Sequence, residues 1–72
     1  MAKDGVEIGD IFVRLGEPKA RAWRVEHIFE LPEGTHARLV RLDDPSRMIT
    51  LAANAVLDPR LMTWIGRADD GG

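Results

Sequence analysis

The 72-residue chain has no cysteine and no tyrosine. Without cysteine it cannot form a disulfide bond, ligate a metal through thiolates or use a cysteine nucleophile. It also has no apolar run close to the about 20 residues that a helix needs to cross a bilayer. No charged-then-apolar leader opens the printed sequence. We therefore expect a cytoplasmic protein without a membrane anchor.

Neither sign of charge dominates, since 10 Lys and Arg stand against 12 Asp and Glu. Acids and bases balance between residues 10 and 65, so the surplus acid lies in the two ends. A neutral domain exerts no long-range attraction on a polyanion, and nucleic-acid binding would therefore require a local basic surface. Arginine outnumbers lysine, as expected of a bacterial protein from a GC-rich genome.

Apolar residues make up 44% of the chain and charged residues 31%. This composition is typical of a soluble globular protein. A chain of this length forms one domain, in which folding buries about 60% of the surface of the unfolded chain. We predict a flexible leader over residues 1–8, a single domain over 9–66 and a disordered tail over 67–72.

The strongest pattern lies between Ala22 and Leu42, which we interpret as two β-strands joined by a turn. Pro32 presets φ for the first corner of this turn, and Gly34 accepts a positive φ at its exit. Apolar and charged residues alternate in the first strand, which is typical of a strand with one buried face. The alternation runs through Trp23, Arg24, Val25, Glu26, Phe29 and Glu30.

The alternation slips in both strands of this hairpin. Ile28 is apolar on the charged face of the first strand, and Val40 and Leu42 are apolar on the charged face of the second. A flat sheet does not explain the slip, whereas a strongly bent strand or a β-bulge near His27 does. Small closed barrels require strands of that kind.

Three further strands are predicted around the hairpin. In the first, Asp10–Leu15, Ile11 and Val13 are expected to face inward. After a turn at residues 43–46, the fourth covers Arg47–Ala52 and is followed by one helical or 3₁₀ turn over Ala53–Leu57. Arg60–Ile65 fits a fifth strand, or a short helix with Asp58 as N-cap and Gly66 beyond its end; we choose the strand.

This order of elements, a four-stranded meander, one short turn and a fifth strand, resembles the SH3-like small barrels over about residues 9 to 65. The resemblance implies an all-β, five-stranded barrel and no particular ligand, because the fold is a scaffold for many functions. The chain lacks the tyrosines of the SH3 peptide groove and the clustered aromatics of a Tudor-like cage. The core is expected to contain Trp23, Val25, Leu39, Ile49, Leu51, Val56, Leu57 and Leu61.

Catalytic and metal-binding residues are sparse. His27 and His36 flank the turn but are predicted to point to opposite sides of the hairpin, so we expect no metal site. Ser46 lies in an Asp-Pro turn with no histidine nearby in the sequence, which does not suit a catalytic nucleophile. We expect neither an enzyme nor a bound cofactor, and no small-molecule substrate.

Two surfaces are candidates for binding. The outward face of the sheet is predicted to carry an aromatic residue, a histidine and three arginines, which suits a protein partner or, less well, RNA. This predicted arginine face consists of Phe12, Arg14, Arg24, His36 and Arg38. We favour an ordinary solvated strand face, in which Glu26 pairs with Arg24 or Arg38, over either ligand.

The second candidate surface is the fifth strand, where Met62 and Trp64, if exposed, would form a protein interface. Core packing at the end of the barrel is the favoured interpretation of this pair, because a tryptophan is costly to expose in so small a domain. An edge of this kind also suits a homodimer. We therefore expect a non-enzymatic interaction module that contacts a protein partner or its own copy. Weak RNA binding through the arginine face is the alternative.

Overall fold

The computed structural model describes residues 4–68, which form an all-β fold with one short helix. The strands are β1 (Asp10–Arg14), β2 (Trp23–Leu31), β3 (Gly34–Arg41), β4 (Met48–Ala52) and β5 (Met62–Arg67). The helix α1 (Ala53–Val56) lies between β4 and β5, and a 3₁₀ turn covers Lys19–Arg21. The predicted all-β class, the helical turn and the fifth strand are confirmed.

The five strands form one antiparallel sheet in the order β4-β3-β2-β1-β5. The β2–β3 hairpin lies at its centre, as predicted, and Gly34 at the turn adopts a φ of 132°. The predicted barrel does not close, because within residues 4–68 the edge strands β4 and β5 do not pair with each other. We call the gap between these two edges the seam.

A β-bulge in β2 confirms the explanation offered for the slipped pattern. Val25 pairs with Leu39 and His27 pairs with Arg38, so Glu26 is the extra residue. The bulge reverses the alternation, so that Ile28 joins Val25 on the face that packs into the core. No bulge interrupts β3 in its pairing with β4, and Val40 stays on the opposite, outer face.

The predicted orientation of β1 is wrong. Phe12 pairs with Trp23 and is 1% exposed, whereas Ile11 and Val13 are only half-buried on the outer face. The register explains the reversal, because Trp23 faces inward and its partner across the strands must share that face. Leu15, the last residue of the predicted first strand, is exposed.

The core lies on the inner face of the sheet and is capped by α1. Its buried cluster consists of Phe12, Trp23, Val25, Ala37, Leu39, Val56 and Met62. Ile49, Leu51 and Leu57 are partly buried and pack against it, so most of the predicted core is confirmed. Leu61 was expected in the core but is 52% exposed, because the turn that precedes β5 directs it outward.

The ends of the described chain are tied to the sheet. Val6 packs against the core, and the backbone N–H of Gly9 donates to the carbonyl of Val25. The disordered tail was predicted to begin at Arg67, but this residue belongs to β5, and the N–H of Ala68 donates to the carbonyl of Gly9. The rest of the predicted tail (69–72) and the start of the predicted leader (1–3) lie outside the described residues.

Candidate functional site

The residues of the predicted arginine face do not form one surface. Phe12 lies in the core, and its placement on an outward face is therefore wrong. Arg14 shares the inner-face register of Phe12, and its guanidinium stacks over the Trp23 ring, 5.6 Å from the ring centre. Arg24, His36 and Arg38 lie together on the outer face.

The outer face of the hairpin carries a cluster of rings and one guanidinium, formed by His27, Phe29, His36 and Arg38. The Phe29 ring centre lies 5.6 Å from that of His27 and 6.2 Å from that of His36. The Arg38 guanidinium lies 6.0 Å from the same ring. The prediction that the histidines point to opposite sides is wrong, because the bulge at Glu26 moves His27 to the face of His36.

The two histidines do not gather further metal ligands. Within residues 4–68, no group of three or more His, Cys, Asp or Glu side chains is placed to hold a metal ion. His36 instead makes a local hydrogen bond, with its Nδ1 3.0 Å from the carbonyl oxygen of Gly34. This bond occupies one of the two ring nitrogens of His36.

Trp23 is the centre of a second cation–aromatic cluster, on the inner side of the sheet. Its ring is 5% exposed and is contacted by two guanidinium groups, those of Arg14 at 5.6 Å and Arg41 at 5.5 Å. Arg41 also donates to Asp43 through Nε at 2.6 Å and Nη2 at 3.0 Å. This bond raises the pKa of Arg41 and lowers the pKa of Asp43.

Arg14 differs from Arg41, because no carboxylate within residues 4–68 pairs with it. Its guanidinium contacts the Trp23 ring instead. Glu17, the next acidic residue along the chain, binds Arg21 at 3.3 Å. Asp58, which lies just before β5, binds Arg60 through Nε at 3.1 Å and Nη2 at 3.0 Å. Both acids thus pair with another arginine.

Arg14 borders a cavity of about 290 Å³ at the seam. We call this cavity the seam cleft. Its wall is formed by one residue each of β1, β4 and α1, by the residue before β5 and by the first residue of β5. The lining residues are Arg14, Leu51, Ala55, Leu61 and Met62. Apart from the guanidinium of Arg14, these side chains are all apolar.

A tight turn before β5 shapes the wall of the seam cleft. The Asp58 carboxylate accepts from the backbone N–H of Arg60 at 2.9 Å. The Asp58 carbonyl accepts from the N–H groups of Leu61 at 2.9 Å and Met62 at 3.0 Å. The turn directs Met62 into the core, 4% exposed, and leaves Leu61 at the mouth of the cleft.

A second hollow, of about 490 Å³, lies between residues 5–6, the hairpin turn and α1. Among the described residues, Glu33 is the only charged one that lines it. The seam cleft is therefore the more selective of the two, because it combines an apolar interior with one positively charged group.

Met62 and Trp64, the two β5 residues considered for a protein interface, differ in exposure. Met62 is in the core, which confirms the core-packing interpretation for this residue. Trp64 is 44% exposed, and its indole N–H donates to Asp10 at 3.1 Å. A bulge at Ile65 places both Trp64 and Arg67 on the side of β5 that faces Asp10.

Comparison of the chain with protein-family models, with curated proteins and with solved structures finds no match. Among the described residues, no helix has the length and apolar character to cross a membrane. The fold and these clusters are thus the basis for any functional assignment.

Proposed function

We propose that this chain is an SH3-like small-barrel module that binds a protein partner in the seam cleft. The strand order, with β5 beside β1 and a short helix between β4 and β5, supports the SH3-like assignment. The absence of enzymatic activity, a cytoplasmic location and a bacterial origin stay predictions.

The seam cleft is the observation that carries this proposal. Concave, mostly apolar sites with a few polar groups are where proteins bind ligands. At about 290 Å³, the cleft is at the small end of ligand pockets, which span about 300–1,000 Å³. One or two apolar side chains of a partner fit this volume better than a large cofactor does.

The exposure of Leu61 also supports a protein partner. Its side chain is 52% exposed at the mouth of the cleft, where a bound apolar group would cover it. Burying apolar area of this kind stabilises a complex by about 25 cal/mol per Å² before the costs of association. A partner that covers Leu61 would also complete the side of the sheet that the seam leaves open.

The test is affinity capture from cell extract with the tagged full chain and two variants. Leu61→Asp places a charge in the mouth of the cleft. Leu42→Asp is the matched control, because Leu42 is 48% exposed and is not part of the cleft. We expect quantitative mass spectrometry to find a set of proteins with the wild type and with Leu42→Asp that is lost with Leu61→Asp. Equal capture by both variants would contradict the proposal.

The same experiment separates two other outcomes. Co-purification of an untagged copy, lost with Leu61→Asp, would indicate that the partner is a second copy of the chain. RNA is the alternative ligand, favoured by the outer-face cluster, where one phenyl ring and two imidazoles adjoin Arg38. Capture through RNA should disappear after ribonuclease treatment or at high salt, and with Arg24→Glu/Arg38→Glu rather than with Leu61→Asp.

A further inference from the structure

Arg14 and Arg41 both contact the Trp23 ring and can be compared with each other. Both guanidinium groups lie at nearly the same distance from the ring centre, 5.6 Å for Arg14 and 5.5 Å for Arg41. Arg41 holds Asp43 through two hydrogen bonds, whereas Arg14 has no carboxylate among the described residues. On the basis of the proposed function, we infer that the partner presents a carboxylate to Arg14 from a residue next to the apolar side chain that fills the seam cleft.

The chemistry of a stacked guanidinium supports this ligand. An arginine in a cation–π contact with an aromatic ring still has N–H groups that can donate hydrogen bonds. Two of these donors match the two oxygens of a carboxylate. Arg41 and Asp43 realise this geometry on the same tryptophan, with donor–acceptor distances of 2.6 and 3.0 Å.

The position of Arg14 at the rim defines the ligand further. Arg14 lines the cleft, whose other lining residues are all apolar. A partner residue that enters the cleft therefore brings its neighbours in the chain within reach of Arg14. The expected motif is an aspartate or glutamate adjacent to a leucine, methionine or phenylalanine. The overall charge of this chain, −2, gives no general attraction for acidic peptides, so the preference depends on Arg14 itself.

The inference is tested by selecting a phage-displayed library of random linear peptides on the full chain. Three forms are compared, the wild type, Arg14→Gln and Arg38→Gln. Arg38 is the matched control, because it also stacks on an aromatic ring but lies on the outer face. We expect the wild type and Arg38→Gln to enrich peptides with an acid next to a large apolar residue. Arg14→Gln should retain the apolar preference and lose the acidic one.

One selected peptide then gives a quantitative test by fluorescence anisotropy. Arg14→Gln, or replacement of the peptide's acid by its amide, should each weaken binding by at least about tenfold. The two changes together should weaken binding no more than either alone, because they remove the same contact. Arg14→Lys keeps the charge without the two-pronged geometry and should fall between the wild type and Arg14→Gln.

The outcomes distinguish the inference from the proposed function. Two results would overturn the role of Arg14 and leave the cleft as the binding site. In the first, the selected peptides need Leu61 for binding but show no preference for an acid. In the second, the losses of affinity from Arg14→Gln and from the change in the peptide's acid add. If no selected peptide loses binding with Leu61→Asp, the cleft is not a peptide site, and both proposals fail. Circular dichroism of each variant, compared with the wild type, verifies the fold.

Discussion

The two ends of β1 carry opposite charges in opposite situations. At one end, the Asp10 carboxylate is 0% exposed and accepts hydrogen bonds from the N–H of Glu7 at 2.8 Å, the Trp64 indole at 3.1 Å and Arg67 at 3.4 Å. At the other end, Arg14 is exposed beside an apolar cleft and has no carboxylate among the described residues.

The difference in hydrogen bonding between Asp10 and Arg14 is the difference between a structural site and a binding site. A buried charge is stable only when its hydrogen bonds are made within the fold, and Asp10 meets this condition with donors from the leader and from β5. A charge that serves a ligand keeps its donors available. Asp10 is therefore expected to contribute mainly to stability, and Arg14 mainly to binding.

The largest predicted effect is that of Asp10→Asn on stability. The substitution removes the negative charge beside Arg67 and turns an acceptor oxygen into a donor that faces other donors. We expect a loss of about 2–3 kcal/mol in the free energy of unfolding, below the range for fully buried pairs because the Arg67 side chain is 47% exposed. Urea unfolding followed by circular dichroism measures it.

Arg14→Gln is the control for this comparison. It removes a stacking contact at an exposed site and should lower the free energy of unfolding by less than about 1 kcal/mol. If Arg14→Gln destabilised the chain as much as Asp10→Asn, both ends of β1 would be structural, and the distinction would fail.

Trp64→Phe is expected to lower the free energy of unfolding by less than Asp10→Asn does. The phenyl ring keeps much of the apolar contact but lacks the N–H that donates to Asp10 at 3.1 Å. Because Asp10 keeps its bonds to Glu7 and Arg67, we expect a loss of about 1 kcal/mol in the free energy of unfolding. Light scattering on the same samples tests the interface predicted for Trp64. A change from dimer to monomer, with unfolding unchanged, would assign this residue to association instead.

Much of the fold could be predicted because its signals are local. The turn at Pro32 and Gly34, the slip at Ile28 that indicated a bulge, and the alanine-rich segment that forms α1 can all be read over a few residues. The existence and order of the strands follow from such signals. Whether the edges pair to close a barrel does not, because it depends on contacts between residues far apart in the chain.

The candidate site was harder to predict because it depends on which face each strand buries. A bulge of one residue moves every later side chain to the other face, which is why His27 and His36 were placed apart. The orientation of β1 was decided by its register with Trp23, which the alternation within β1 does not contain. Asp58 was interpreted as the N-cap of an alternative helix, whereas its side chain forms the turn that leaves Leu61 exposed.

The smallest predicted effect concerns the ion pair between Arg41 and Asp43. Because the hydrogen bond from Arg41 lowers the pKa of Asp43, the folded state binds a proton at this site less readily than the unfolded chain, whose aspartates titrate near about pH 3.9. The stability from this pair is therefore complete above that pH and is lost as the pH falls through the lower pKa of the folded state.

Asp43→Asn should accordingly have a slightly lower melting temperature than the wild type at neutral pH, and the difference should vanish in acid. Both partners are at the surface, so high salt should also reduce it. Arg14→Gln, measured in parallel, should differ from the wild type by the same amount across the acid range, because no carboxylate in the described chain pairs with Arg14. A difference that disappeared in acid would reveal a carboxylate of the chain itself at Arg14, and Arg14 would then not be available to a carboxylate of a partner.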